Sequence, residues 1–123
     1  MLAAAAVLVG GTSIFARYRT QIPLDGVLEV ASFRLASGIT GDAFHRSVPA
    51  SNAFLQRQKG FVRRRIGRSS DGDWVDVVEW ASMEDATRAG EKFPTEPSVA
   101  PFAATIDMST LKLVHYSVQS RSR

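Results

Sequence analysis

Two ionisable side chains, Asp76 and His115, stand in otherwise apolar runs and are the residues best suited to chemistry. Asp76 and Trp80 are four residues apart, so on a strand both project from one face, together with Trp74. A carboxylate beside an indole in an apolar cavity can act as a general base. A histidine such as His115 can carry protons near neutral pH. The sequence therefore predicts Asp76 and His115 as catalytic residues.

Both residues also have a purely structural interpretation. Asp76 could pair across a hairpin with Arg63 or Arg65, because opposite charges are common neighbours on adjacent strands. His115 could be a hydrogen-bonded residue of the core or of a subunit interface. The interpretations differ in whether Asp76 and His115 point into one enclosed cavity.

A cavity around Asp76 would also need groups that hold a substrate. Aromatic side chains lie on the same predicted strand and on a preceding predicted helix, and arginines lie on the neighbouring strand. The predicted substrate-binding residues are Trp74, Trp80, Phe44, Phe54 and Arg65.

Composition limits the kinds of chemistry. The chain has 123 residues, no cysteine and 2 histidines. Its length suits one domain with its own hydrophobic core. The lack of cysteine excludes a disulfide framework and a cysteine nucleophile, and the wide separation of the histidines disfavours a metal site. We therefore expect neither a metal nor a bound cofactor.

The positive charge of the chain does not form one surface. The formal net charge is +3, with the excess at Arg63–Arg65, at Arg68 and in the C-terminal tail. On a strand, Arg63 and Arg65 project to one side and Arg64 to the other. The chain is therefore not expected to bind nucleic acid.

The predicted elements follow the order strand, helix, strand, strand, helix, strand. The predicted strands are Val27–Leu35, Phe61–Arg68, Trp74–Trp80 and Leu111–Val118, the middle two joined by a hairpin at Asp71-Gly72. This order predicts an α+β fold of the ferredoxin-like type over residues 27–118, followed by a basic tail, 119–123.

The two predicted helices carry recognisable start signals. The first begins at Thr40 or Asp42 and reaches about Gln58, with a kink or a break at Pro49. The second is capped by Ser82 and runs to about Phe93.

Helices in this arrangement cover only one face of the sheet. The other face would carry one alternating set of side chains, including Phe33, Phe61 or Val62, and Leu113 or Val114. That is more apolar area than a monomer exposes, and a symmetric partner packed sheet against sheet would bury it. We therefore expect a homodimer. The aromatic residues predicted around Asp76 favour a small hydrophobic or aromatic ligand.

Residues 1–26 form an apolar N-terminal extension. Arg17 and Arg19 follow its uncharged stretch, the reverse of a secretory signal, and Gly10-Gly11 interrupts a run shorter than the about 20 residues that span a membrane. The extension could be dispensable or a start-site artefact, a signal or anchor, or an arm that packs on a partner. We expect a cytoplasmic protein without a stable membrane span; the alternative is export or anchoring through residues 1–16.

Three features carry a resemblance at the level of fold: the corner Gln58-Lys59-Gly60-Phe61, Trp80 at the end of the third strand, and the helix start Ser82-Met83-Glu84-Asp85-Ala86. With them, the chain resembles the dimeric α/β-barrel superfamily and, within it, the antibiotic biosynthesis monooxygenase (ABM)-like domains. The resemblance covers about residues 27–118. It implies a ferredoxin-like βαββαβ plait that forms a dimeric α/β barrel with a pocket between sheet and helices.

The resemblance extends to few functional residues. The cofactor-independent ABM oxygenases share Trp80 with this chain. They have an asparagine four residues before that tryptophan, where this chain has Asp76. They also have a tyrosine in the next helix, where this chain has Ala86. Haem-degrading relatives are disfavoured because no histidine or asparagine occurs in residues 81–110.

The function implied by the resemblance is that of a small-molecule enzyme. It would be similar to the ABM-like cofactor-independent monooxygenases and would abstract a proton from an aromatic or polyketide-like substrate. The alternative is a non-catalytic ligand-binding or dimerisation domain.

Overall fold

The structure is a computed structural model that describes residues 25–122. Four strands are formed by β1 (Val27–Leu35), β2 (Phe61–Arg68), β3 (Trp74–Trp80) and β4 (Ile106–Ser117). The helices are α1 (Gly41–Gln56), α2 (Met83–Lys92) and α3 (Ala100–Ala104), with 3₁₀ turns at Phe93–Thr95 and Pro97–Val99. Residues 1–24, which hold nearly all of the predicted extension, and Arg123 lie outside the described residues.

The strands form one antiparallel sheet in the order β2-β3-β1-β4. In the central pair, Val27 lies opposite Trp80 and Phe33 lies opposite Trp74. Because side chains alternate along a strand, this register puts four residues of β1 on the face that carries Trp80. They are Val27, Glu29, Ala31 and Phe33.

Helix α1 forms as one continuous helix despite Pro49. Thr40 caps it, because the Thr40 hydroxyl accepts a hydrogen bond from the Ala43 amide at 3.0 Å. Pro49 cannot donate to the His45 carbonyl, but both residues are exposed, so water can solvate that carbonyl. The predicted break at Pro49 is therefore wrong, because the helix continues through it.

The turn and the helix start around β3 follow local chemistry. Gly72 has φ +87°, a left-handed conformation that glycine adopts without steric cost, and it reverses the chain between β2 and β3. After β3, the Ser82 hydroxyl accepts a hydrogen bond from the Asp85 amide at 3.1 Å and so caps α2. The predicted cap is confirmed.

The core lies between the sheet and the helices as two apolar clusters. One joins α2 to the end of β3 and consists of Phe54, Leu55, Val78, Trp80, Ala86, Ala89 and Val99. The other joins α1 to the opposite end of the sheet and consists of Phe33, Phe44, Trp74 and Phe102. Phe93 packs against both.

The second face of the sheet has no helix over it. Its apolar side chains are Leu28, Val30, Val75, Val77 and Val114, all partly buried, and Tyr116, which is exposed. Phe33, Phe61 and Leu113 lie on the helix side instead, whereas Val114 lies on the helix-free face as predicted. Val62, the predicted alternative to Phe61, lies at the irregularity in β2 between Phe61 and Arg63 and is 44% exposed.

The predicted ferredoxin-like fold is confirmed, with the bounds of β1, β2 and β3 as predicted. Strand β4 is longer than predicted, because it begins at Ile106 rather than Leu111. Helix α2 ends at Lys92, and the proline-rich stretch after it forms 3₁₀ turns and the short α3. No helix in residues 25–122 is long and apolar enough to cross a membrane.

Candidate active site between the sheet and the helices

A cavity of about 260 Å³ lies between the two core clusters. Its wall is mostly apolar and includes Phe54, Val78, Trp80, Phe93, Phe102 and Leu111. Three ionisable side chains reach it from neighbouring strands: Glu29 from β1, Arg64 from β2 and Asp76 from β3. An apolar cavity with a few convergent polar groups is the usual form of a small-molecule site.

Asp76 is held by Arg64 through two hydrogen bonds. Nε of Arg64 donates to Oδ1 at 3.0 Å, and Nη2 donates to Oδ2 at 2.7 Å. Only 6% of the Arg64 side chain and 11% of the Asp76 side chain are exposed. A planar guanidinium matches a carboxylate in this two-bond geometry, and the pair brings little net charge to the cavity.

Arg64 is fixed from its other side by α1. Its Nη1 donates to the Ser51 hydroxyl at 2.7 Å and to Oδ1 of Asn52 at 2.9 Å. The guanidinium also lies over the ring of Phe102, 4.9 Å from its centroid. Arg64 therefore connects β2, β3, α1 and α3.

This pairing changes the role expected for Asp76. Asp76 lies on the cavity wall, but both of its oxygens accept hydrogen bonds from Arg64. Its partner is neither Arg63 nor Arg65, because those side chains project from the opposite face of β2. Asp76 is thus not an unpartnered base.

Glu29 is the carboxylate on the cavity wall that has one oxygen without a hydrogen bond from the described residues. Its Oε1 accepts a hydrogen bond from Nε1 of Trp80 at 2.6 Å, and Oε2 lies 3.8 Å from Nε2 of His115. Burial raises the pKa of Glu29 above 4.5, and this effect outweighs the opposing effects of the Trp80 hydrogen bond and of His115. The carboxylate of Asp76 raises the pKa of Glu29 further.

His115 lies beside Glu29 rather than beside Asp76. The pairing of β1 with β4 puts His115 opposite Glu29 and on the helix side of the sheet. Its side chain is 29% exposed and that of Glu29 is 20% exposed, so solvent reaches both partners. It is not part of the cavity wall.

The predicted substrate-binding residues are only partly brought together. Trp80 and Phe54 line the cavity. Phe44 and Trp74 pack in the second core cluster, with ring centroids 4.5 Å apart, and do not reach the cavity. Arg65 lies opposite Val77 and so projects from the helix-free face, which removes it from this site.

Sequence reasoning did not select Glu29 or Arg64 for the site. The signal for Glu29 is a lone carboxylate in the apolar alternation of β1. The signal for Arg64 is its projection opposite to Arg63 and Arg65. Both signals predict a site residue only when it is known which face of the sheet the helices cover.

The described residues do not suggest a metal centre. No group of three or more histidine, cysteine, aspartate or glutamate side chains converges within residues 25–122. What the cavity offers is a hydrogen-bonded carboxylate, a neutralised ion pair and an apolar wall, which suit proton transfer to and from an organic ligand.

Comparison with known proteins shows the fold. No family model and no curated protein matches the sequence. Among solved structures, SnoaB, a cofactor-independent oxygenase from Streptomyces nogalater, is 24% identical, with a TM-score of 0.56 over 80% of this chain and 96% of that one.

Two further structures agree with this result. A putative antibiotic biosynthesis monooxygenase from Bordetella bronchiseptica is 14% identical, with a TM-score of 0.65 over 76% of this chain and 96% of that one. A dimeric ferredoxin-like protein of unknown function from Thermobifida fusca is 18% identical, with a TM-score of 0.58 over 76% and 91%. The chain therefore has the ferredoxin-like fold of the ABM-like proteins.

Proposed function

We propose that the chain is a small-molecule enzyme that removes a proton from carbon in a small aromatic substrate, with Glu29 as the base. The observation that carries the proposal is the Glu29 carboxylate on the wall of an apolar cavity, with a pKa raised by burial. A carboxylate with a raised pKa is a stronger base than one in water, and a base works best when its pKa approaches the working pH.

Trp80 has a positioning role in this proposal. Its indole N–H holds Oε1 of Glu29, which leaves Oε2 directed at a bound substrate or at His115. The ring of Trp80 also forms part of the apolar wall against which an aromatic substrate packs. His115, whose Nε2 lies 3.8 Å from Oε2 of Glu29, exchanges the proton of Glu29 with water when no peroxide is present to accept it, as in deuterium exchange without oxygen.

The size of the cavity limits the substrate. About 260 Å³ is below the common range of about 300–1,000 Å³ for pockets that hold drug-sized ligands. The cavity therefore suits a molecule of one or two rings better than an extended polyketide. The paired charges of Arg64 and Asp76 favour a substrate that enters without a net charge.

The reaction that completes the proposal is oxygenation of an activated methylene group. Glu29 takes a proton from R₂CH₂, and the carbanion adds to O₂ to give a peroxide anion. Protonation by the neutral Glu29 carboxyl and loss of water then give R₂C=O, so that R₂CH₂ and O₂ become R₂C=O and H₂O. The proposal is supported by the shared fold with SnoaB, described as a cofactor-independent oxygenase.

The experiment separates proton abstraction from oxygenation. Purified protein is incubated in D₂O with one- and two-ring compounds that carry an acidic methylene, such as tetralones and naphthalenone tautomers of naphthols. Deuterium incorporation is followed by NMR without oxygen, and oxygen uptake is followed with an electrode in air. The wild type should catalyse exchange, and Glu29→Gln should lose it.

Two variants serve as controls for this experiment. Glu84→Gln, at a side chain that is 79% exposed on α2, should exchange deuterium like the wild type. Asp76→Asn tests the base originally predicted from the sequence and should keep measurable exchange. Loss of exchange in Asp76→Asn with retention in Glu29→Gln would reject Glu29 as the base.

The second candidate is a non-catalytic ligand-binding or dimerisation domain. It is favoured by the Arg64–Asp76 pair, because a fully hydrogen-bonded pair needs no ligand to explain it. This candidate predicts that the same compounds bind without deuterium exchange or oxygen uptake.

The homodimer is part of the proposal. The helix-free face, with Val77 near its middle, carries more adjoining apolar side chains than a monomer usually exposes, and one structural neighbour is described as dimeric. Sedimentation should give about twice the chain mass of 13.4 kDa. A species of single-chain mass at micromolar concentration would reject it.

A further inference from the structure

A second cavity adjoins the site described above at Arg64 and lies in the groove between α1 and the edge strand β2. It measures about 380 Å³. Its walls are His45, Val48 and Asn52 from α1, with Arg64, Ile66 and Arg68 from β2, and Trp74 closes its inner end. We refer to this space as the α1–β2 groove.

The two elements line the groove because of their periodicities. His45, Val48 and Asn52 are spaced by three and four residues and therefore share one face of α1. Arg64, Ile66 and Arg68 alternate on β2 and share its helix-facing side. Since β2 is at the edge of the sheet, no further strand covers the outer side of the groove in the described residues.

The groove has positive and hydrogen-bond-donating groups but no carboxylate in its wall. The charge of Arg64 is neutralised by Asp76. Arg68 has no carboxylate within 4.0 Å among residues 25–122, and its guanidinium lies over the Trp74 ring, 5.3 Å from the centroid. The uncompensated cation of the groove is therefore Arg68.

Asn52 supplies a second donor. Its Oδ1 accepts a hydrogen bond from Arg64 at 2.9 Å, and this fixes the orientation of the amide. The Nδ2 group, at the other end of that amide, then has no acceptor in the described part of the chain. A guanidinium fork and an amide donor above the apolar side chains of Val48 and Ile66 form a surface for an anion with an apolar body.

We infer that the α1–β2 groove is a binding site for a small organic carboxylate. The carboxylate pairs with Arg68 and accepts from Nδ2 of Asn52, and its apolar part packs on Val48 and Ile66. One uncompensated cation matches a monoanion, which favours a carboxylate over a doubly charged phosphate. This site shares Arg64 with the Glu29 cavity, but Arg68 and Asn52, which would hold the carboxylate, line only the groove. The inference does not depend on the proposed reaction.

The test uses benzoate as the probe, with benzamide as its neutral analogue and inorganic phosphate as an anion without an apolar body. Binding to the full-length protein is followed by chemical shifts of the Trp74 indole N–H and the Ile66 methyl groups. Benzoate should saturate these shifts, and benzamide and phosphate should bind at least about tenfold more weakly, because each lacks one part of the recognition.

Variants on the same strand make the test specific. Arg68→Gln should weaken benzoate binding at least about tenfold, and Arg68→Lys, which keeps the charge but not the planar fork, should weaken it less. Arg65→Gln removes the same charge from the opposite face of β2 and should change binding less than about twofold. These positions are exposed, so the fold should persist in all three variants.

Three outcomes would overturn the inference. Equal binding of benzamide would mean that the charge is not recognised. Phosphate binding as tight as that of benzoate would mean that the groove is only a basic patch. Equal weakening in Arg65→Gln and Arg68→Gln would mean that benzoate responds to net charge rather than to the groove.

Discussion

Replacement of Arg64 by methionine gives the sharpest test of the architecture, because this one side chain ties four elements together. Methionine keeps much of the apolar stem but removes the guanidinium. The Asp76 carboxylate, 11% exposed, would then remain buried without its two hydrogen bonds. Loss of one partner from a buried ion pair costs about 3–5 kcal/mol.

A cost of this size is large for a small domain, whose total free energy of unfolding is about 5–15 kcal/mol. The free energy of unfolding should be measured by urea denaturation, with circular dichroism and tryptophan fluorescence followed in parallel. Coincident transitions from the two signals would justify a two-state treatment.

The double variant Arg64→Met with Asp76→Leu completes the argument. Removal of both charges leaves no buried ion without a partner, so the double variant should be more stable than Arg64→Met alone. Arg63→Met is the matched control: its side chain is 59% exposed and lies 3.5 Å from Glu79 on the other face, so its loss should cost less than about 1 kcal/mol.

The reasoning would be refuted by two results. A cost below about 1 kcal/mol for Arg64→Met would mean that Asp76 is solvated in the protein. A double variant less stable than Arg64→Met would mean that the cost comes from lost packing of Arg64 rather than from an unpaired carboxylate.

Three further predictions concern single positions. Gly60→Ala should destabilise the protein by more than about 1 kcal/mol, because Gly60 has φ +84° and a β-carbon there would meet the Asp85 side chain; an unchanged urea midpoint would contradict this. Trp80→Ala should cost about 3–5 kcal/mol, since Trp80 is 1% exposed, and a loss under about 1 kcal/mol in urea melts would reject its core placement. The pKa of Glu29 is raised above 4.5 in the native protein, so between pH 4.5 and that raised pKa the native state binds more protons than the unfolded state. The contribution of Glu29 to the free energy of unfolding therefore falls as the pH rises through this range. The stability of the wild type relative to Glu29→Gln should therefore decrease with rising pH, and a constant difference across the pH series of urea melts would show that Glu29 does not have a raised pKa.

Local signals predicted the elements well because each rests on neighbouring residues. The bounds of β3 follow from a β-branched and aromatic run between Gly72 and Ser82, and the cap at Ser82 is a contact over three residues. The helix break predicted at Pro49 does not occur, because the exposed turn around Pro49 tolerates the lost hydrogen bond. Strand β4 begins early because Leu35 and Arg34 pair with Ile106 and Asp107, and that partnership is not local.

In the candidate site too, some residues could be predicted from local patterns and others depend on contacts between distant elements. Trp80, Phe54 and Asp76 could be selected from the sequence, since alternation along one strand and the spacing of one helix bring aromatic groups near a carboxylate. Arg65 was selected in place of Arg64, since alternation states which residues share a face but not which face the helices cover.

The order of elements, the fold class, the turns and the caps could be predicted from local patterns, because these features depend on hydrophobic periodicity and on contacts within a few residues. The hydrogen-bond partners of the two carboxylates follow from contacts between strands, which local patterns do not predict. Asp76 meets Arg64 across a hairpin, whereas Glu29 meets the Trp80 indole across 51 residues of sequence, through the register of β1 with β3. That register is set by which apolar faces pack together, and from it follow the burial of Glu29 and its raised pKa.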